Sequence, residues 1–468
     1  MNYVLGRKMN KTVNQFKLGV AAAGIAFLTF TSSVHAQSKD DIRFALTGDS
    51  NLHRRLSVFD DPAYLAFFKR IQTADASFTN LEAVIHPLTI PGAAFAGGTP
   101  GISPTWTVDE LKWAGFNLLS VANNHSLDYG IDGLRSNLHA LDAAGLVYAG
   151  AGENLAFARA PGYLDTKKGR VALIATSSTL TAGEQASQQR PDLPGRAGVS
   201  PLRFTTTYTV DQPTFDTLRR VAALGGRGGG RGSNEPGALS FANAVYKVGD
   251  KPGVDTKPDK DDLDALIASI TAGRRQAEWV IASIHAHEGK PGNPNEPADF
   301  VVTFAHAAID AGADVFIVHG PHDIRGIEIY KGKPIIYSLG NFVFDGEAGI
   351  PFAPSETYEA NHLPWNSNIS DYREATSKGD TIGYGADKGN WETAVVEVTF
   401  SPDHKLKELT LDPATLGYGL TRSQRGFPHP ASPEAAKEII DGFAKLSAPY
   451  GTKVEFVNGH GVIKVDSK

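Results

Sequence analysis

The chain has 468 residues, 41% of them apolar, no cysteine, and a formal charge of −6. That length suits one large domain or two ordinary ones, and the lack of cysteine excludes disulfides, thiolate zinc sites and a cysteine nucleophile. The acidic balance argues against non-specific nucleic-acid binding but not against one local anion pocket.

Residues 1–36 read as a signal peptide. Arg7, Lys8, Lys11 and Lys17 supply a basic start, Leu18 to Thr31 is an uncharged apolar run, and Val34-His35-Ala36 ends it in small residues. The run is short for a membrane span. The expectation is cleavage before Gln37, export to the periplasm or the medium, and no membrane span in the mature chain. Residues 37–468 then form a single domain with additions.

Ile42 to Thr47 predicts a first strand, ending in Gly48-Asp49. A helical pattern from about Pro62 to Thr73 leads to a second strand, Ala76 to Thr79, which ends in Asn80-Leu81-Glu82. Phe116 to Val121 is a third apolar strand and runs into Asn123-Asn124-His125. Ile131, Leu134, Leu138 and Leu141 recur at helical spacing before Gly145. Strands are predicted at Val147–Gly150, Val171–Thr176 and Trp279–Ile284, the last ending at His285. A helix from Asp299 to Ala311 precedes the strand Val315–Val318, which delivers His319 and His322 around Gly320-Pro321.

Two stretches break this rhythm and read as insertions, 183–260 and 346–390. The first contains the run Gly225 to Gly232, which has neither an apolar strand before it nor Gly-Lys-Ser/Thr after it. It therefore reads as a surface insertion and not as a phosphate loop. A strand pair (Ala394–Phe400, Leu406–Leu411) follows, and 420–468 reads as a helix-and-strand C-terminal extension.

Strands alternating with helices predict an α/β protein whose mostly parallel strands form one sheet system. Ligands of such sheets bind beyond the carboxyl ends of the strands. Five strands end in groups suited to metals: Asp49; Asn80 with Glu82; Asn123, Asn124 and His125; His285 with His287 and Glu288; and His319 with His322. Carboxylate, amide and imidazole donors suit Mn, Zn, Fe, Co or Mg. The donors outnumber what one tetrahedral ion needs, so the expectation is two divalent ions. Asn123 and Asp128 are equally readable as turn and helix-cap residues. Arg54 and Arg325 are candidates to bind an anionic substrate.

Gly48-Asp49, Asn80-Leu81-Glu82, Asn123-Asn124-His125 with Asp128-Tyr129-Gly130, His285-Ala286-His287-Glu288, His319-Gly320-Pro321-His322 and Tyr337-Ser338-Leu339-Gly340-Asn341-Phe342 together resemble the CapA family of poly-γ-glutamate capsule synthesis proteins. The resemblance runs over residues 42 to 345. It implies a metallophosphoesterase-like sandwich of two mixed β-sheets flanked by helices. It also implies Asp49, Glu82, Asn124, His285, His319 and His322 as metal ligands, and His125, with Asn124 and Asp128, as catalytic residues. Arg54, Arg325 and Asn123 are then the substrate-binding candidates. The chain departs from the family pattern at His287, which stands in a His-x-His, and at Ser50-Asn51, where phosphoesterases have Asp-x-His.

The expected function is that of an exported protein of capsular or envelope polymer synthesis or processing, working as a metal-dependent hydrolase or transferase. A non-catalytic envelope-assembly factor that binds an anionic polymer, and a phosphoesterase on a small phosphoester, are the alternatives. Other proteins of polymer synthesis are expected partners; nucleic acid is not. No Gly-x-Ser-x-Gly elbow and no dinucleotide fingerprint is present.

Overall fold

The structure, a computed structural model, describes residues 40–94, 99–224, 237–346 and 353–464. The expected signal peptide and the run Gly225–Gly232 lie outside the described residues.

In chain order, β1 (Ile42–Asn51), β2 (Ala76–Leu81), β3 (Leu118–Ser120) and β4 (Val147–Ala149) are parallel neighbours. The chain then builds a second sheet from β5 (Gly162–Thr166), β6 (Gly169–Ser177), β7 (Trp279–His285), β8 (Val315–His319), β9 (Ile327–Tyr330) and β10 (Lys333–Ile336). Its order is β9-β10-β8-β7-β6-β5, with parallel pairing from β10 to β6 and antiparallel edges. β11 (Asn341–Phe344), β12 (Glu392–Phe400), β13 (Leu406–Thr415), β14 (Val454–Val457) and β15 (His460–Ile463) return to the first sheet. The path there is β14-β15-β13-β12-β1-β2-β3-β4, with β11 added on the end of β1.

The periodicity of the strands explains why there are two mixed sheets, as the family resemblance implied, and not the single system that alternation alone suggested. Successive side chains of a strand face opposite ways. In β7 and β8, Ile281, Val315 and Ile317 join Phe44, Leu46 and Phe78 of the first sheet in one core. Val280, Ala282, Phe316 and Val318 face the other way, onto the helices Lys260–Arg274 and Asp299–Asp310. Strands buried on both faces read as continuous apolar runs, which hides the sandwich in the sequence. The architecture is thus α/β, two mixed sheets packed face to face and flanked by helices.

The stretch 183–260 is more regular than its Gly and Pro content suggests. Phe204–Val210, Leu239–Phe241, Ala244–Val248 and Gly253–Pro258 form a four-stranded sheet of their own, accompanied by the helix Gln212–Leu224. Phe204 stacks on Phe300 with ring centroids 4.2 Å apart, anchoring this sheet to the main domain. Beside it, buried Asp262 accepts from Arg159 at 2.6 Å and from the Arg203 side chain at 2.6 and 2.9 Å. Burial pushes the Asp262 carboxyl up, but the hydrogen bonds from the two arginines hold it below its ordinary value. Asp262→Ala would leave two cations without their carboxylate, so urea unfolding should show a loss of about 3 kcal/mol, at the lower end for a broken buried pair because Arg203 is half exposed. A depressed pKa stabilises above its unfolded value of 3.8 and stops doing so as pH falls through the folded value. The gap between wild type and variant should therefore close in strong acid.

The stretch 346–390, which reads as an insertion, contains the short helices Ser355–Ala360 and Ile369–Ser377. The second begins with a capping box between Asn368 and Asp371, a signal too local for hydrophobic periodicity to find.

Candidate metal centre

Parallel pairing brings the carboxyl ends of β1, β2 and β3, and of β6, β7 and β8, to one rim. Register places Asp49 opposite Asn80, and His285 opposite both His319 and Ser177. β1 can carry Asp49 there because Gly48 has no side chain: a Cβ at Gly48 would lie 1.8 Å from the carbonyl oxygen of Gly340. The Asp49 N–H donates to that same oxygen at 3.1 Å.

Asp49 is buried, accepting from Asn80 Nδ2 at 2.7 Å on one oxygen and from the Gly320 N–H at 2.9 Å on the other. Glu82, buried just beyond β2, has Oε1 3.6 Å from His285 Nε2 and 3.9 Å from His322 Nε2. His285 Nδ1 lies 3.0 Å from His319 Nδ1, and its Nε2 lies 3.0 Å from His287 Nε2. His322 takes a left-handed backbone, φ 63°, and its Nδ1 meets Asn341 Oδ1 at 2.8 Å. Gly320, φ +107°, is the turn that makes this possible, since a Cβ there would come within 2.9 Å of both His285 and His287.

Three groups of donor atoms overlap here: Asp49, His285 and His319; Glu82, His285 and His287; and Asp49, Glu82 and His322. Within each, the donor atoms lie within 4.8 Å of one another. Asp49, Glu82 and His285 each belong to two groups. His287, a strand-end donor outside the ligand set that the resemblance implies, joins the set.

The electrostatics match the geometry. Burial pulls the imidazoles of His287 and His319 down to about 3 and that of His285 well below its ordinary value, and the neighbouring histidines add to the effect. Burial pushes Glu82 well up, with help from Asp49 and Asp128, and raises Asp49 against the pull of His322. The cluster is therefore a set of neutral imidazoles facing carboxylates that resist ionising. Glu82 Oε1 and His319 Nε2 are buried and make no hydrogen bond among the described residues. Lone pairs crowded in this way fit a divalent cation, which would let both carboxylates ionise. Imidazole and carboxylate donors with no sulfur suit borderline or hard divalent ions.

The turn after β3 sits beside this cluster. Asn123 closes the turn: its Nδ2 donates to Asn80 Oδ1 at 3.1 Å and to the Leu81 carbonyl at 2.8 Å, while its Oδ1 accepts from the His125 N–H at 3.1 Å. Asn124 is buried in the same turn. His125 Nδ1 lies 2.6 Å from Asp128 Oδ2, and Asp128 also accepts from the Gly101 N–H at 2.6 Å. Burial opposes the charged form of His125, but Asp128, Glu184 and Asp49 outweigh it and raise its pKa.

The two arginines hold backbone carbonyls, and the charge of Arg325 adds to the lowering of His287. Arg54 donates to the carbonyls of Ser423, at 2.7 Å, and Arg425, and lies over the Phe427 ring. Arg325 is buried and donates to the carbonyls of Pro294 at 2.8 Å and Glu288 at 3.4 Å, bracing the loop that carries His287. Sequence shows a cation but not the backbone carbonyls it serves. It also gave no sign of Tyr384, whose ring lies 5.4 Å from that of His322.

Residues 43–346 match the family model described as "Bacterial capsule synthesis protein PGA_cap". The protein y4sH of Sinorhizobium fredii is 32% identical over 453 residues, covering 93% of this chain and 95% of that protein. The capsule biosynthesis protein CapA of Bacillus anthracis is 28% identical over 239 residues, 51% of this chain and 43% of that one. Among solved structures, a phosphatase from Mycoplasma pneumoniae superposes over 80% of this chain and 94% of its own, with 10% identity and a TM-score of 0.38.

Proposed function

Because the chain belongs to the bacterial capsule synthesis protein family PGA_cap, we propose that it is a metal-dependent hydrolase or transferase acting on an anionic envelope polymer of the poly-γ-glutamate type. The observation that supports this most directly is the overlap of three donor groups on shared Asp49, Glu82 and His285. Two divalent ions held by these residues with His319, His322 and Asn124 would polarise the scissile group and acidify water. His287 would be a further donor to one of them.

The chain's own contribution is positioning and a proton. Asp128 engages His125 Nδ1, which fixes the ring and leaves Nε2 to protonate a leaving group. His125→Ala should lower kcat about 10²- to 10⁴-fold on a poor leaving group such as an alkyl amide. The loss should shrink on a p-nitrophenyl or p-nitroanilide analogue, whose leaving group needs less help from a proton. Equal losses on both would argue against the acid role.

The test of the whole reading is metal analysis of the purified protein together with turnover of γ-glutamyl amides and simple phosphoesters. Turnover of phosphoesters alone would favour the phosphoesterase alternative. Protein that takes up no Mn or Zn would sink the metal-dependent reading. Metal-free variants that still support capsule formation in cells would identify an assembly factor instead.

Export is part of the same proposal. Cleavage before Gln37 would place the protein in the periplasm or outside the cell, and N-terminal sequencing of the mature chain checks it. Among the described residues no helix is long and apolar enough to cross a membrane.

A further inference from the structure

The end of β6 carries none of the donors named above, yet it grips the end of β7. Beyond Ser177, the last residue of β6, the chain reads Ser178-Thr179. The Ser178 N–H donates to the His285 carbonyl at 3.0 Å, and the Thr179 hydroxyl accepts from the His287 N–H at 2.9 Å. From the opposite side, the Ala286 N–H donates to the His319 carbonyl at 2.8 Å. Backbone groups of a strand turn alternately to the neighbours on either side. That alternation therefore continues past His285, the last residue of β7, with a side-chain hydroxyl where a ladder carbonyl would stand. Residues two apart along such a segment present their side chains to one face. His285 and His287 do so, their Nε2 atoms 3.0 Å apart, and both join Glu82 in one donor group.

Glu288 sets the direction of that hydroxyl. Its carboxylate accepts from Ser178 Oγ at 2.8 Å and from Thr179 Oγ1 at 3.2 and 3.1 Å. A threonine hydroxyl has one proton and two lone pairs, and a carboxylate only accepts. With the proton committed to Glu288, the lone pairs of Thr179 are left for the His287 N–H. Both ends of the contact are anchored. Ser177 Oγ donates to the Thr179 carbonyl at 2.9 Å, and the Glu288 carbonyl accepts from the Ala298 N–H at 3.2 Å.

We propose that Thr179 and Glu288 are positioning residues for His287: the Glu288 carboxylate orients the Thr179 hydroxyl, which holds the His287 backbone so that its ring meets His285 and Glu82. The inference rests on the metal-dependent reading above and concerns one donor group within it. His287 belongs to the group with Glu82 and His285, and to neither group that contains Asp49.

The experiment is calorimetric titration of the chelator-treated full chain with Mn²⁺ and with Zn²⁺. Thr179→Val keeps the shape of the side chain and removes its hydroxyl. It should weaken one ion about 10- to 100-fold, the usual cost of losing a group that orients a ligand, and leave the other at its wild-type affinity. Thr179→Ser, which keeps the hydroxyl, should bind as wild type does. Glu288→Ala should repeat the loss seen in Thr179→Val. Adding Thr179→Val to His287→Ala should cost nothing further, because both changes act through one ring. A purely structural role would instead add its loss to that of His287→Ala. Wild-type affinity for both ions in Thr179→Val, or a further loss in the double variant, would overturn the positioning role. Equal weakening of both ions by Glu288→Ala would show that its charge matters and not its hold on Thr179. Wild type that takes up neither ion would refute the metal-dependent reading and this proposal with it, so the two failures read differently.

Discussion

Gly48→Ala is expected to yield no folded protein. The new Cβ would sit 1.8 Å from the Gly340 carbonyl oxygen and 2.9 Å from its carbon, both backbone atoms. No rotamer change relieves such a clash, so either β1 or the turn before β11 must shift. Both are fully packed, and the shift would break the hydrogen bond from Asp49 to Gly340 and the pairing of Asp49 with Asn341. A cost above about 5 kcal/mol is the exceptional end of single substitutions and rivals the whole stability of a domain. Gly145→Ala is the control. Gly145 caps its helix at φ +70° with nothing within 4 Å of a built Cβ, so only about 1–2 kcal/mol of left-handed strain is expected. Circular dichroism and urea midpoints separate the two. A Gly48→Ala protein with the wild-type midpoint would show that the close approach is not as described.

The second large effect concerns which ligand is removed. Asp49 and His285 each serve two donor groups, whereas His287 and His319 each serve one. Asp49→Ala and His285→Ala should therefore each break two of the three donor groups and lose more metal than either single-group variant. His287→Ala should leave part of the complement. Losing a residue that merely orients a ligand costs 10- to 100-fold in affinity, so losing a shared ligand should exceed about 100-fold. Elemental analysis after dialysis against a defined ion concentration reads this as stoichiometry. Equal partial losses in all four variants would mean that no donor is shared.

The sequence made the site more legible than the architecture around it. Asp49, Glu82, His285, His319 and His322 lie at or just past the ends of apolar strands, and parallel strands put such ends on one rim whatever the sheet count. The sheet count came from the family resemblance and was hidden from periodicity, because β7 and β8 are apolar on both faces and carry no alternation to say which face meets a second sheet. The strand Phe204–Val210, reading Phe-Thr-Thr-Thr-Tyr-Thr-Val, was missed because Gly- and Arg-rich composition nearby outweighed its β-branched content. The substrate-side candidates were the least legible. Arg54 and Arg325 were singled out by charge, but their partners are carbonyl oxygens that every residue carries. Arg54 also meets Asp345, which stands there only because the chain returns 291 residues later.

That return has a temporal side. The first half of β1 pairs antiparallel with β12, Ile42 opposite Phe400, while its end pairs parallel with β11. The strand that bears Asp49 is thus clamped from one side entirely by residues from the last third of the chain. At ordinary synthesis rates those partners emerge roughly 20–70 s after β1 does. No ion can be held by the complete set before then. A metal held there would be acquired at the end of folding, from whatever solution surrounds the finished chain. Since nitrogen and oxygen sites rank divalent ions by a general affinity order more than by need, the ion supply of that compartment, as much as the ligands, would decide which metal such a site carries.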